Sequence, residues 1–271
     1  MFGWFRRKPT CPVAPPARAW IESRTRWLVG EFGLAAARKA VVILPTPEFF
    51  PEKYDASDKA GRVLFDRVCR SMHISPAGLT LQFFDSGKPI LNQGFIQSHN
   101  AVGLYQEDSG GVRIRIDARA LEDPLALGAI AAHELSHLLL LGQRRLTGYE
   151  RDHEGITDLL TVYLGLGVFT ANTRVRDRST RSAATESWSI SKLGYLDQPE
   201  IGYALALWAR LREEPNPAWR SALCADVRAY FDQGVRWLAA EGDSVLDANT
   251  NAPTQLSDDE APPGFEKRSP T

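Results

Sequence analysis

His133-Glu134-Leu135-Ser136-His137 stands within the run Pro124 to Leu141, and its His133, Glu134, Ser136 and His137 are the only polar side chains in that run. Residues four apart on a helix lie on one face, one turn apart, so both imidazoles can reach a single metal ion while Glu134 flanks it beside an ion-bound water. A helix that is apolar nearly all round is normally buried, where unpaired polar groups are costly, and a metal ion would satisfy them. Asp123-Pro124 supplies an N-cap and a first-turn proline, and Gly142 supplies a stop. The pattern points to metal-dependent hydrolysis. The plainer alternative is a core helix whose histidines bond neighbouring backbone and whose Glu134 forms an ion pair.

A catalytic zinc site needs a third protein ligand and an open fourth position. Downstream, Glu150 to Asp158 followed by the apolar run Leu159 to Phe169 reads as a second helix beginning near Glu150, with Glu154 and Asp158 on one face. Glu154 is the first candidate for the third ligand, followed by Asp158, His153 and Glu150. His153 by itself reads as an exposed first-turn residue.

With these residues the chain resembles the gluzincin metallopeptidases, the thermolysin-like clan, whose pattern is H-E-x-x-H followed by a helix carrying E-x-x-x-D. The resemblance spans about 26 residues. It implies Zn2+ as cofactor, His133, His137 and Glu154 as its ligands, Glu134 as general base, and Asp158 as the carboxylate that orients His133. It also implies an α+β, zincin-like fold, with a small sheet in a mixed N-terminal part and a helical C-terminal part around a metal cleft, acting on a peptide or protein substrate. Other zinc patterns fit less well. Metzincins place Gly and His where Leu140 and Gln143 stand, and Arg67-Val68-Cys69-Arg70 does not match the cysteine context of peptide deformylases. The aspzincin Gly-Thr-x-x-Asp is approached by Gly155-Ile156-Thr157-Asp158 without being met.

Sites of this kind add a donor for the developing oxyanion. No histidine follows His153, which leaves Tyr149, Tyr163, Tyr195 and Tyr203 as phenols near or beyond the motif, and Arg174, Arg176 and Arg178 as substitutes. Tyr195, in the turn-like Leu193-Gly194-Tyr195-Leu196, is placed first among them. Without such a donor the same frame would make a metal-binding, non-cleaving regulatory or interaction protein, which is the alternative function.

Composition narrows the surroundings. The formal net charge of −1 on 271 residues does not suggest a nucleic-acid binder. Charge is unevenly placed: residues 1 to 40 carry eight Lys/Arg against two acids, and residues 242 to 271 carry six acids against two bases. Cys11, Cys69 and Cys224 are far apart and odd in number, so they form no disulfide framework and fit a reducing, cytoplasmic setting. Met1 to Pro9 lacks the apolar core of a secretory signal, and no uninterrupted apolar run has the length of a bilayer span. Oligomeric state is not encoded in any pattern here.

The expected organisation is a flexible segment over 1–16, a zincin-like domain over 17–241 and a disordered acidic tail over 242–271. Within the domain the patterning predicts helices over Ala17–Ala40, Asp55–Met72, Gln198–Arg212 and Pro217–Ala240. It predicts strands over Lys39–Leu44 and Leu79–Phe84, and a hairpin of Val102–Gln106 with Val112–Asp117 around Asp108-Ser109-Gly110-Gly111. The strand near Val112–Ile116 is a candidate edge for docking an extended peptide.

Overall fold

The computed structural model describes residues 8–85, 102–180 and 196–241, without the side chains of 174–180. In chain order it has helices α1 (Pro15–Phe32), α2 (Leu34–Lys39) and α3 (Asp58–Ser71), then strands β1 (Leu79–Phe84), β2 (Gly103–Asp108) and β3 (Gly111–Asp117). Helices α4 (Pro124–His137), α5 (His153–Tyr163), α6 (Gly167–Thr180), α7 (Gln198–Leu211) and α8 (Ala225–Glu241) follow. The α+β class is therefore present: among the described residues the sheet lies in the N-terminal half and the C-terminal half is helical.

Local chemistry accounts for the element ends. The Asp123 carboxylate accepts from the backbone N–H of Leu125 and Ala126, and Pro124 opens α4 as expected. Ser57 caps α3 through the N–H of Ala60. Asp197 and Glu200 form a reciprocal capping box on α7. The helix expected over Ala17–Ala40 is two helices, parted at Gly33. Lys39–Leu44 is not a strand: Lys39 closes α2 and residues 40–44 belong to no helix or strand, tied to the end of α5 by the Ile43 N–H on the Gly165 carbonyl at 2.9 Å.

The sheet order is β1-β3-β2, with β3 parallel to β1 and antiparallel to β2. The β2–β3 hairpin turns at Ser109-Gly110, where Asp108 accepts from the Gly110 N–H at 2.7 Å. This corrects one expectation, because β3 has a neighbour on each side and offers no free edge. A strand of alternating apolar residues can be recognised from its pattern, but its place in the sheet depends on pairings distant in sequence. Among the described residues the edge beside α4 is β2.

Burial divides into two clusters. One joins α3, the sheet and α4 through Phe65, Val68, Ile114, Ile116, Ile130 and Leu135. The other joins α1, α5, α7 and α8 through Ile21, Leu28, Ile156, Leu160, Tyr203 and Phe231. The chain already packs at Val13, which is buried, and Thr10 accepts from the Gln233 side chain, so the packed fold reaches into the segment assigned to the N-terminal arm. Residues 1–7 and the tail from 242 lie outside the described residues. Pro124–Gly142, which is α4 continued by one π-helical turn, is long and apolar enough to cross a membrane by composition, and 72% of it is buried inside the fold.

Candidate metal centre

α4 belongs to the sheet-side cluster and α5 to the helical one, and their contact brings the two motifs together. His133 and His137, one turn apart, present their rings edge to face with centroids 4.8 Å apart. From the first turn of α5, Glu154 Oε2 lies 3.0 Å from His133 Nε2 and 3.3 Å from His137 Nε2. One donor atom from each of these three residues falls within 4.8 Å of the other two. The three residues named from the sequence thus converge.

The ring nitrogens facing away from the centre are also engaged. His133 Nδ1 donates to Asp158 Oδ1 at 3.0 Å, and the other Asp158 oxygen accepts from the Leu196 N–H at 3.1 Å. Asp158 is fully buried and faces His133. His137 Nδ1 lies 3.4 Å from Thr157 Oγ1, whose own proton goes to the His153 carbonyl at 2.8 Å. Both outward nitrogens therefore carry protons, and both Nε2 atoms face inward.

The three inward-facing atoms lie at hydrogen-bonding distance, so either a proton or a metal cation must sit between them. Burial disfavours the His133 imidazolium, yet the bonds to Asp158 and Glu154 outweigh it and push its pKa up to about 10, so a proton on Nε2 can take that place. Burial likewise works against an ionised Glu154, but hydrogen bonds from His133, His137 and His153 hold its carboxyl well below the usual range. Two imidazole nitrogens and a carboxylate oxygen, with outer hydrogen bonds on both rings, are a donor set that could hold a metal ion, and zinc is one of the ions such a set accepts.

α5 begins at His153, later than the expected Glu150, and the cause is visible at its N-cap. The Asp152 carboxylate does not cap the helix but accepts from Trp20 Nε1 at 2.8 Å and Arg24 Nε at 2.6 Å. This buried tie fixes the first turn of α5, and Glu154 with it, to α1. No local sequence signal links Trp20 or Arg24 to residue 152.

Glu134 points from the same helix under β2 and is 6% exposed. A Cβ at Gly103 would lie 2.4 Å from Glu134 Oε1 and 2.8 Å from Ile130, so glycine there leaves the carboxylate its place and any larger residue would displace it. The backbone N–H of Tyr105 donates to the carboxylate, but burial dominates and raises its pKa. A carboxyl of raised pKa beside a cation site is suited to taking up and releasing a proton.

Comparison of the chain with protein-family models, with curated proteins and with solved structures finds no match in any of the three. The site is therefore read from its own geometry. Tyr195 lies outside the described residues, as do the side chains of Arg174, Arg176 and Arg178. Tyr163 and Tyr203 are buried with their hydroxyls donating to the Gly33 carbonyl and to Glu22, which removes both from the oxyanion candidates. Tyr149 is 95% exposed. Sequence reasoning missed Thr157 and Gly103. The first could have been found from its position three residues after Glu154, which puts both on one face of α5, and the second as a glycine inside a strand pattern.

Proposed function

We propose that this chain is a gluzincin-type zinc peptidase in which His133, His137 and Glu154 hold the ion and Glu134 is the general base. The observation that carries the reading is the convergence of the three donor atoms with both outward histidine nitrogens already bonded to Asp158 and Thr157. Zinc bound there would supply a Lewis acid for the scissile carbonyl and a water acidified toward neutrality. Glu134 takes a proton at its carboxylate, which burial has made more basic, and returns it to the leaving amine. Asp158 and Thr157 keep the histidine lone pairs directed inward through turnover. The β2 edge, lying over Glu134 through Gly103 and Tyr105, is where an extended peptide backbone would pair.

The test is Glu134→Gln beside the wild type, scored for zinc per chain and for cleavage of a peptide library. Full zinc with cleavage lost supports the assignment. Zinc lost together with cleavage would make Glu134 a support of the site rather than its base. A second reading, a metal protein that cleaves nothing, is favoured by one feature: Glu134 is nearly enclosed beneath β2. Zinc bound stoichiometrically by a wild type that cleaves no member of the library would select it.

A further inference from the structure

Arg115 is a buried charge that the proposed chemistry does not use. Ile114 and Ile116 of β3 enter the core against α4, so Arg113, Arg115 and Asp117 stand on the opposite face of the sheet. Arg115 is 7% exposed, and its Nε has no hydrogen-bond partner. Among the described residues no carboxylate pairs with it: Arg119 takes both oxygens of Asp117, Asp108 meets Arg113 at 3.3 Å, and Asp85 acts on Arg119. The guanidinium carbon lies 5.2 Å from the centroid of the Phe84 ring, and burial together with the nearby Arg113 pushes its pKa below the ordinary arginine value. A guanidinium buried without a counter-charge is costly. A second unmet group shares the face. Gln106 stands opposite Arg113 and so diagonal to Arg115, and its Oε1 is also buried without a partner. On the other side Gln82, opposite Arg115 in β1, is exposed, which leaves the face open there.

We propose that this face of the sheet binds an acidic peptide segment, with Arg115 taking a side-chain carboxylate and Gln106 accepting from a backbone N–H beside it. The two unmet groups are of opposite kinds, and an acidic peptide supplies both complements. The Nε–H and the adjacent Nη–H of a guanidinium form a two-donor fork that matches a carboxylate, and the amide oxygen needs the donor that a peptide backbone carries. A simple anion would satisfy Arg115 and leave Gln106 unmet. The site lies across the sheet from α4, so it goes beyond the zinc reading and does not depend on it.

The experiment titrates the full chain, carrying isotope-labelled arginine, with acetylated and amidated tetraglutamate, and follows the Arg115 Nε–H resonance, identified by its loss in Arg115→Met. That resonance should shift saturably with tetraglutamate and stay in place with amidated tetraglutamine. Arg115→Met should bind tetraglutamate on the order of 10- to 100-fold more weakly. Without peptide its melting temperature should equal or exceed that of the wild type, because methionine removes an uncompensated buried charge. Equal affinity in wild type and Arg115→Met would overturn the inference. So would a shift produced by inorganic phosphate and not by tetraglutamate, which would make this a simple anion site. A shift produced by tetraglycine with a free C-terminus and not by tetraglutamate would make the ligand a chain end and overturn it too. Failure of Arg115→Met to fold, or a melting temperature well below the wild type, would show that the guanidinium already has a partner within the chain, and the inference would fall. None of these outcomes bears on the metal centre.

Discussion

The two buried clusters are built differently, and the candidate centre lies at their junction. On the sheet side, β3 sets Ile114 and Ile116 against α4 and adjacent strands fix each other's register. On the helical side, α1, α5 and α7 pack through side chains and a few long-range polar ties, such as Tyr203 on Glu22 and Trp20 on Asp152. His133 and His137 come from the first and Glu154 from the second. A triad drawn from one cluster could exist in half of a folded chain. This one forms only when both clusters are complete, so on the proposed reading an ion bound there would couple to the docking of the two halves.

The largest expected effect is that of the ion on stability. Zinc at a thousandfold excess over its dissociation constant should stabilise the wild type by about 4 kcal/mol. For a chain of this size the melting temperature should rise by roughly 10 °C. His137→Ala and Glu154→Ala should show no such rise. If zinc raises the melting temperature of Glu154→Ala as much as that of the wild type, the ion is not bridging the clusters and the histidines alone hold it.

A smaller effect is expected from cutting the tie that places α5. In Asp152→Ala, Trp20 and Arg24 lose their buried acceptor, which should destabilise the protein by about 3 kcal/mol in chemical unfolding. Zinc affinity should fall with it, because the turn that presents Glu154 is no longer pinned to α1. Destabilisation with unchanged zinc affinity would show that α4 by itself is enough to place Glu154.

The same division explains what could be read beforehand. α4 was legible to its first residue because its cap, its proline and its apolar run are contiguous, and His133, Glu134, His137, Glu154 and Asp158 were legible because helical periodicity puts them on faces. The start of α5 was misplaced because the determining partners, Trp20 and Arg24, are far away in sequence. The peptide-docking edge was assigned to β3 for a similar reason: alternation marks a strand but says nothing of which strands lie beside it. His153 read as an exposed residue, since only the fold shows its Nε2 turned toward Glu154.

The smallest effect on stability, and the sharpest on the comparison, is expected from Gly103→Ala. The added methyl would meet Glu134 Oε1 and Ile130, and because a carboxylate can swing aside, the loss should be only about 1 kcal/mol. Glu134 is not among the inward-facing ligands, so zinc per chain and zinc affinity should stay at the wild-type level. Cleavage is different: a base displaced by about 1 Å is expected to lose on the order of 100-fold in turnover. Undiminished turnover in Gly103→Ala would mean that α4 alone sets the carboxylate and β2 merely covers it. Full zinc with turnover lost would show that the sheet-side cluster supplies the working position of the base, while the helical side supplies the third ligand.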